Sequence, residues 1–440
     1  MAQLETKAQL QQKENVWKLF LSLPILSWAL FDFSTTIFSS NIITIFFPFY
    51  LQETIGESER LNQIASTFIS YANSLASLFL VLFSPLFGVL IDRSGKKKKY
   101  IIPFTLLGVF FTVMMGIFAV IPSSGQIFSL PATLVFVIIC FVIAQFFYSS
   151  SNIFYDSMIS DLTVKQNIPL ISGFGVAVGY IGTLVGLLVY PFVGDSGFHK
   201  AFIPTAVLYL VFSLPLMIFV KDKQKPAAET SKKSFLSGYR EIYETFLEMK
   251  KFREIFLFMI AFFFISDALS TAIAMMAVYA KAIAGFTTGQ FIILYLVSTL
   301  SSILGSFVFG YITKRIGPKK AIGYIAGILL IALMMAVFVQ AQWMFWLAGS
   351  LFGVSLGSMW VASRTFIVYL TPEEKRGQFF GLFAFSGKVS AIAGPLLYGT
   401  ITFVFKDYGN LASRMALGSL MVLVLIGLLI HRRVVQHTDR

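Results

Sequence analysis

Twelve long apolar runs, separated by charged residues, glycine or proline, constrain this chain of 440 residues more than any other feature. A helix needs about 20 mostly apolar residues to cross the hydrocarbon core of a bilayer, and each run reaches about that length. The runs cover residues 19–51, 63–91, 99–121, 131–160, 169–193, 200–220, 254–281, 289–313, 319–339, 342–370, 378–404 and 410–431. The sequence therefore predicts an all-α membrane protein with twelve transmembrane helices, numbered 1 to 12 in chain order.

Composition agrees with this prediction and excludes several classes of protein. Charged residues make up 12% of the chain, against about 25% in soluble domains. The single cysteine rules out a disulfide framework and a thiolate metal site. The sequence also lacks the motifs of phosphate-binding loops, zinc proteases and serine hydrolases. We therefore expect neither an enzyme nor a protein that depends on a metal or an organic cofactor.

The basic residues predict the orientation of the helices. With the N-terminus inside, the cytoplasmic segments hold 27 of the 34 Lys and Arg residues, and the outer loops hold 4. This asymmetry follows the positive-inside rule, so we expect both termini in the cytoplasm. The net charge of +13 lies in short loops between apolar runs, which argues against a nucleic-acid partner. We expect a monomer in the plasma membrane, with the lipid bilayer and a small solute as its partners.

A hydrophilic segment divides six helices from six. We expect an N-terminal bundle over residues 1–220, a cytoplasmic linker over 221–253 and a C-terminal bundle over 254–440. The linker begins with KDKQKPAAETSKKS, a composition typical of disorder. Five apolar residues then recur at helical spacing, namely Phe235, Tyr239, Ile242, Phe246 and Met249. This spacing predicts an amphipathic helix that lies on the membrane surface.

The two halves form a parallel repeat, because three segments of the first half match segments of the second half in the same order. FGVLIDRSGKKKK after helix 2 aligns with FGYITKRIGPKKA after helix 8, and DFSTT in helix 1 aligns with DALST in helix 7. Helix 4 aligns with helix 10 through Leu162-Thr163 and Leu370-Thr371, and helix 5 aligns with helix 11 through three glycines at the same spacing. A repeat of six plus six helices is typical of transporters whose binding site lies between the halves.

Polar residues inside the predicted helices are candidates for binding a solute or a coupling ion. An ionisable group there costs about 2.5–3.5 kcal/mol on insertion scales, so its presence favours a function. The candidates are Asp32 and Thr36 in helix 1, Asn152 in helix 4, Asp267 in helix 7 and Lys388 in helix 11. Either aspartate can exchange a proton, and Lys388 can hold a solute carboxylate or pair with an aspartate. A purely structural contact with a neighbouring helix is the alternative for each.

Asp156 and Arg364 occupy equivalent positions in the repeat but carry opposite charges. Both fall near the predicted cytoplasmic ends of their helices, helix 4 and helix 10. We expect them to meet as a gate when the halves close on that side. The alternative is two separate charges at the level of the membrane surface.

The loop after helix 2 holds the densest run of charge in the chain. Its distinctive residues are Gly88, Asp92, Arg93 and Gly95. The glycines allow a tight turn and close contact between helices. The Asp92 carboxylate can accept hydrogen bonds from the free backbone N–H groups at the start of helix 11, near Gly377. The four lysines that follow need only their charge to fix the topology, so Lys97→Gln should have a mild effect.

The same loop resembles the signature of the major facilitator superfamily, G-x-L-x-D-R-x-G-[RK]-[RK], and reads GVLIDRSGKK here. Four longer segments are similar to the vacuole-effluxer-like branch, also called the unknown major facilitator family. These are WALFDFSTTIFSSNIITIFFPFYL in helix 1, FYDSMISDL in helix 4, SGFGVAVGYIGTLVGL in helix 5 and GQFFGLFAFSGKVSAIAGPLLYG in helix 11. The resemblance implies the major facilitator fold, alternating access, efflux of amino acids, and a latch at Asp92 that holds the inside-closed state.

We therefore expect a secondary active transporter for a small polar solute, with H⁺ or Na⁺ as its coupling ion. Two alternatives stay open. A sugar–cation symporter is one, although helix 2 has no acidic residue before Asp92, which counts against it. A sensor or lipid-handling protein that has the same fold but moves no solute is the other, because fold does not fix function.

Overall fold

The structure is a computed structural model that describes residues 17–55, 59–122, 125–127, 130–193, 197–222, 239–240, 243–244, 251–286, 288–408 and 410–435. Twelve helices in these residues are long and apolar enough to cross a membrane, which confirms the predicted number. The chain is a multi-pass membrane protein.

The first half contains helices 1 to 6. Helix 1 spans Leu23–Phe38 and continues through the π-helical segment Ser39–Phe46 into Phe47–Ile55. The others are helix 2 (Glu59–Ser94), helix 3 (Lys98–Val120), helix 4 (Ala132–Leu162), helix 5 (Ile168–Gly186) and helix 6 (Phe202–Phe219). Two short antiparallel strands, β1 (Gln126–Ile127) and β2 (Leu130–Pro131), precede helix 4 and pair Gln126 with Pro131. Short helical turns at Lys165–Asn167, Leu187–Val189, Tyr190–Val193 and Phe198–Ala201 flank helix 5.

The second half contains helices 7 to 12. They are helix 7 (Arg253–Ala284), helix 8 (Thr288–Ile316), helix 9 (Pro318–Val337), helix 10 (Gln342–Leu370), helix 11 (Arg376–Val404) and helix 12 (Asn410–Arg433). Short 3₁₀ turns at Glu373–Lys375 and Lys406–Tyr408 lie before and after helix 11.

The predicted linker falls largely outside the described residues. Of its five apolar positions only Tyr239 is described; it is helical, and its hydroxyl donates to the Leu82 carbonyl oxygen at 2.8 Å. The amphipathic helix and the boundaries 1–220, 221–253 and 254–440 therefore stay predictions.

Helix 5 packs closely against helix 1 because glycines form its contact face. Their neighbours in helix 1 are Trp28 for Gly175, Asp32 and Thr36 for Gly179, Phe33 for Gly182 and Asn41 for Gly186. A Cβ atom at Gly179 would lie 3.2 Å from the Asp32 carboxyl carbon. Small residues at such spacing let membrane helices approach closely. The glycines of helix 5 therefore leave room beside helix 1 for the side chain of Asp32.

The two halves touch through backbone at one end of the molecule, where helix 2 meets helix 11 and helix 5 meets helix 8. A side chain at Gly88 would collide with the backbone of Gly377, and one at Gly173 would lie 2.7 Å from the Ser306 carbonyl oxygen. We call this end, formed by residues 92–98, 163–168, 314–318 and 371–377, the basic end because lysine-rich connections lie there. The glycines allow the two halves to close on each other at the basic end.

The π-helical segment of helix 1 widens the turn in front of a proline. Pro48 has no N–H to donate, so the helix cannot continue with regular bonding at this point. Asn41 stabilises the segment, since its Nδ2 donates to the Gly186 carbonyl oxygen at 2.9 Å and to the Thr205 hydroxyl at 3.1 Å. Such segments are frequent at functional sites. This one turns Ser39, Ser40 and Thr44 toward the space between the halves.

Lys97 is a packed residue and not a freely solvated charge, so the premise of a mild Lys97→Gln effect does not hold. Its Nζ donates to the Ser157 carbonyl oxygen at 2.7 Å and pairs with Asp161 Oδ2 at 2.7 Å. Only 6% of the residue is exposed. Burial lowers the pKa of Lys97, and the Asp161 carboxylate opposes this shift. Lys97 therefore ties the start of helix 3 to the end of helix 4.

Lys97→Gln should lower the free energy of unfolding by about 1–3 kcal/mol, because it leaves a partly buried carboxylate without this cation. Thermal unfolding of the detergent-solubilised protein measures the change. Lys96→Gln is the matched control, since Lys96 is exposed, and its effect should stay within about 0.5 kcal/mol. Equal shifts in the two variants would contradict a packing role for Lys97.

Candidate functional site

A cavity of about 460 Å³ lies between the two halves. Helices 1, 2, 4 and 5 line it from the first half, and helices 7, 8, 10 and 11 from the second. Its lining includes six residues that the sequence singled out, namely Asp32, Thr36, Asn152, Asp156, Arg364 and Lys388. The structure therefore brings most of the predicted site residues around one space.

The charged residues of the cavity lie at different heights above the basic end. Arg364 and Asp156 each lie six residues from the helix end, or about 9 Å at 1.5 Å per residue. Asp32 lies nine residues into helix 1, at about 14 Å, and Lys388 lies twelve residues into helix 11, at about 18 Å. Asp156 and Arg364 thus form the floor, with Asp32 and then Lys388 above them.

Asp156 and Arg364 meet across the two halves, as the sequence predicts. Arg364 Nη2 lies 2.8 Å from Asp156 Oδ1. The guanidinium carbon lies 5.4 Å from the ring centre of Trp28 and 5.7 Å from that of Tyr155, two rings that stack on each other. Aromatic faces attract a cation, and the attraction grows as water is excluded. An ion pair and two rings thus hold Arg364 in place, while its role as a gate stays a prediction.

Asp32 and Lys388 face the cavity without an ion pair between them. Asp32 extends from helix 1 beside Gly179, and Lys388 projects from helix 11 next to Gly387. Within the described part of the chain, no ion pair joins Lys388 to Asp32 or to Asp267. The pairing alternative for Lys388 is therefore not the arrangement of this conformation.

Asp267 lies outside the cavity lining, although the repeat places it level with Asp32. Its Oδ1 accepts the Gly394 N–H of helix 11 at 2.8 Å, next to Pro395. The Thr271 hydroxyl approaches the same carboxylate without forming a hydrogen bond of normal geometry. Asp267 is 2% exposed. This geometry matches the structural alternative, a contact between helices 7 and 11, and a coupling role for Asp267 stays a prediction.

Helix 4 has a row of polar residues, of which some face the cavity and one contacts helix 2. Ser149, Asn152 and Asp156 line the cavity, whereas Gln145 Nε2 donates to Asn73 Oδ1 of helix 2 at 2.9 Å. Polar groups that faced lipid would cost several kcal/mol each, by order of magnitude. The row therefore faces partly the cavity and partly a neighbouring helix, and not lipid.

At the basic end, Asp92 accepts two hydrogen bonds from the start of helix 11. Gly377 N–H donates to its Oδ1 at 2.7 Å and Gln378 N–H donates to its Oδ2 at 2.8 Å. Gly95 follows with φ of 62°, a left-handed conformation that glycine adopts without strain. These are the contacts expected of Asp92 from the sequence. The role of these contacts as a latch of the closed state stays a prediction.

The second copy of the loop makes a related contact with different chemistry. Lys314 stands where Asp92 would be, and its Nζ donates to Asn167 Oδ1, just before helix 5, at 3.0 Å. Gly317 repeats the left-handed turn with φ of 86°. Tyr369 adds a nearby bond across the halves, from its hydroxyl to the Lys165 carbonyl oxygen at 3.0 Å. Together with Asp92, these contacts close the basic end in this conformation.

Several cavity residues were not recognised from the sequence. The aromatic ones are Tyr148, Tyr155, Tyr180, Tyr295 and Trp360. The small polar ones are Thr35, Ser40, Thr44, Thr183 and Ser266. Aromatic residues are common throughout this chain, so composition does not separate the cavity from the lipid face. Pro48 was the one local sequence feature that indicated an irregular helix, and so a changed direction for the Ser and Thr side chains after Thr36.

Comparisons with known proteins agree with this architecture. A family model described as "Vacuole effluxer Atg22 like" matches residues 160–440. The "Uncharacterized MFS-type transporter YxiO" of Bacillus subtilis is 25% identical over 425 residues, covering 94% of this chain and 95% of the relative. "Autophagy-related protein 22" of Saccharomyces cerevisiae is 22% identical, covering 86% of each chain.

Solved structures share the fold. The fucose:proton symporter FucP of E. coli matches with a TM-score of 0.72 at 12% identity, covering 94% of this chain and 99% of FucP. A bacterial homologue of the iron transporter ferroportin, in its outward-facing state, matches with a TM-score of 0.69 at 13% identity, covering 94% and 98%. These likenesses confirm the predicted fold of two six-helix bundles.

Asp92→Asn should open the basic end more often than Lys314→Gln, because Asp92 is less exposed and holds two backbone N–H groups. A cysteine at Ser149, in the cavity, reports the opening in a Cys140→Ser background. An impermeant maleimide added from the basic side should label it at least about threefold faster in Asp92→Asn than in Lys314→Gln, a difference of about 0.6 kcal/mol in the closed state. Equal labelling rates would remove the latch from the account.

Proposed function

The chain belongs to the vacuole effluxer Atg22-like family, and we propose that it moves a small zwitterionic solute, a free amino acid, across the membrane by alternating access. It is a multi-pass transporter of the major facilitator type, as the helices, the fold and the relatives agree. The solute, its direction and the coupling ion are our proposal.

The observation that carries this proposal is that one cavity holds both charge signs, from opposite halves, with no ion pair of Asp32 or Lys388 among the described residues. Asp32 comes from the first half and Lys388 from the second. A buried charge needs a partner of opposite charge or strong hydrogen bonds. A solute that carries an ammonium and a carboxylate supplies both partners, whereas a neutral sugar supplies neither.

The rest of the cavity suits an uncharged side chain. Its apolar lining consists of Leu80, Ile153, Val176, Phe262, Leu356, Trp360, Phe380, Phe383 and Ala384. Ligand pockets typically combine such apolar walls with a few polar groups that fix orientation. The polar groups hold the backbone ends of an amino acid in this arrangement, and the apolar wall contacts its side chain.

We assign the coupling proton to Asp32, which is the acid of the cavity that has no ion pair in the described residues. An acid in that position is exposed alternately to the two sides as the halves rock. Na⁺ is the second candidate ion. Asp267 is the weaker candidate for coupling, because it lies outside the cavity and already accepts a backbone N–H.

The basic end is the cytoplasmic end in this proposal, which follows from the distribution of Lys and Arg. The protein then lies in the plasma membrane with both termini inside, and it exports its solute. The conformation described is closed to the cytoplasm. Loading from the cytoplasm requires the contacts of Asp92 and the Asp156–Arg364 pair to separate.

The experiment is a transport screen in proteoliposomes with the twenty amino acids, with and without a pH gradient. Asp32→Asn and Lys388→Met should each lower the flux of the preferred amino acid by about tenfold or more, equivalent to about 1.4 kcal/mol of lost interaction. Asp407→Asn and Lys200→Met are matched controls, because both residues are exposed and lie outside the cavity.

Two outcomes would contradict the proposal. If an amino acid is transported and neither Asp32→Asn nor Lys388→Met reduces its flux, the assignment of these residues is wrong. If the wild-type protein moves none of the twenty but its thermal stability responds to one of them, a sensor on the same fold replaces the transporter.

A further inference from the structure

Arg364 has hydrogen-bonding capacity that the described residues leave unused. Nη2 pairs with Asp156, whereas Nε and Nη1 are buried and have no hydrogen-bond partner in the described part of the chain. Arg364 is 5% exposed and lines the cavity. A buried N–H without a partner destabilises the folded protein. Two such nitrogens on one cation call for an acceptor that the described residues do not provide.

The rings around Arg364 determine the direction from which an acceptor can come. Trp28 and Tyr155 lie within 6 Å of the guanidinium carbon, at 5.4 and 5.7 Å. Aromatic rings stack on the flat faces of a guanidinium. The N–H groups point outward from its edges, so an acceptor binds at an edge. A carboxylate matches such an edge with two parallel N–H···O bonds. The free nitrogens are therefore suited to a planar anion, and the cavity is the space from which it can arrive.

The geometry of a guanidinium makes this acceptor a competitor of Asp156. Each two-pronged edge of the group includes Nη2, paired either with Nε or with Nη1. Asp156 already binds Nη2. A second carboxylate that takes either edge must share Nη2 with Asp156 or displace it.

We propose that Arg364 binds the carboxylate of the solute, and that this carboxylate competes with Asp156 and so loosens the pair that closes the basic end. The inference rests on the proposed function, because it requires a solute with a carboxylate. Lys388, about 9 Å higher by helix rise, is then the residue that the carboxylate meets first. Arg364 is the deeper position, and occupancy there links binding to opening.

Asp156→Asn tests the competition, because it removes the competing charge and keeps the size of the side chain. The probe is the amino acid with the highest wild-type flux among the twenty, titrated into purified protein by calorimetry. Its Kd should fall about three- to tenfold in Asp156→Asn. An unchanged or higher Kd overturns the inference, since a purely structural gate gives no gain in affinity.

The α-carboxamide of the same amino acid tests the binding partner. The wild-type protein should prefer the carboxylate form by about tenfold or more. Arg364→Lys keeps the charge but loses the two-pronged edge, so this preference should fall more than in Lys388→Met. A preference that survives in Arg364→Lys and disappears in Lys388→Met would make Lys388 the anchor and overturn the inference.

Two further measurements separate the possible failures. If Arg364→Lys does not fold, the double variant Asp156→Asn with Arg364→Gln replaces it, because both side chains of the pair are then neutral. This double variant should bind the amino acid and its α-carboxamide equally well. If no amino acid binds or moves in the wild-type protein, the proposed function fails, and this inference fails with it. If one is transported but neither variant changes affinity as stated, only the inference about Arg364 fails.

Discussion

Backbone contact between the halves at the basic end is the interaction on which the rest of the structure depends. Gly88 meets the start of helix 11, and Gly173 meets helix 8, at distances that no side chain could accept. Once the helices touch there, the carboxylate of Asp92 reaches two N–H groups of helix 11, and Lys314 reaches Asn167. Asp156 and Arg364, the floor of the cavity, lie six residues from their helix ends, as Gly88 does, so closure of this end determines the shape of the floor.

The cavity has an unequal distribution of charge, although the repeat gives the two halves equivalent positions. The first half contributes the acids Asp32 and Asp156, and the second contributes the cations Arg364 and Lys388. One pair is made across the interface, and no ion pair of Asp32 or Lys388 occurs among the described residues. Movement of one half against the other therefore changes the distance between opposite charges. In the proposed function a zwitterion bridges Asp32 and Lys388, which relates recognition of the solute to the position of the two halves.

Much of the fold follows from patterns that are visible in the sequence. Length and apolarity determine which segments can span a bilayer, so the twelve helices were predictable. The repeat locates equivalent heights in the two halves, which is why Asp156 and Arg364 were expected to meet. Asp92 was placed correctly because a carboxylate and a helix start are complementary.

The remaining differences arise because height along a helix does not determine the direction of a side chain. Asp267 is level with Asp32 in the repeat but points to Gly394 of helix 11 and not into the cavity. Lys97 lies in a run of four lysines, yet it is buried, with an ion pair to Asp161 and a hydrogen bond to the Ser157 carbonyl oxygen. In both cases the contact that determines the side-chain direction is with a helix distant in sequence, so local composition does not predict it.

The central claim is that the halves close the basic end in one state and separate there when solute is carried through. The chain has one cysteine, so labels can be placed cleanly in a Cys140→Ser background. Spin labels at the exposed positions Lys96 and Lys320, one in each half, report the separation by electron–electron double resonance. We predict a short distance without solute and a second, longer distance whose population grows with the transported amino acid. A single distance that does not respond to a transported solute would contradict the account.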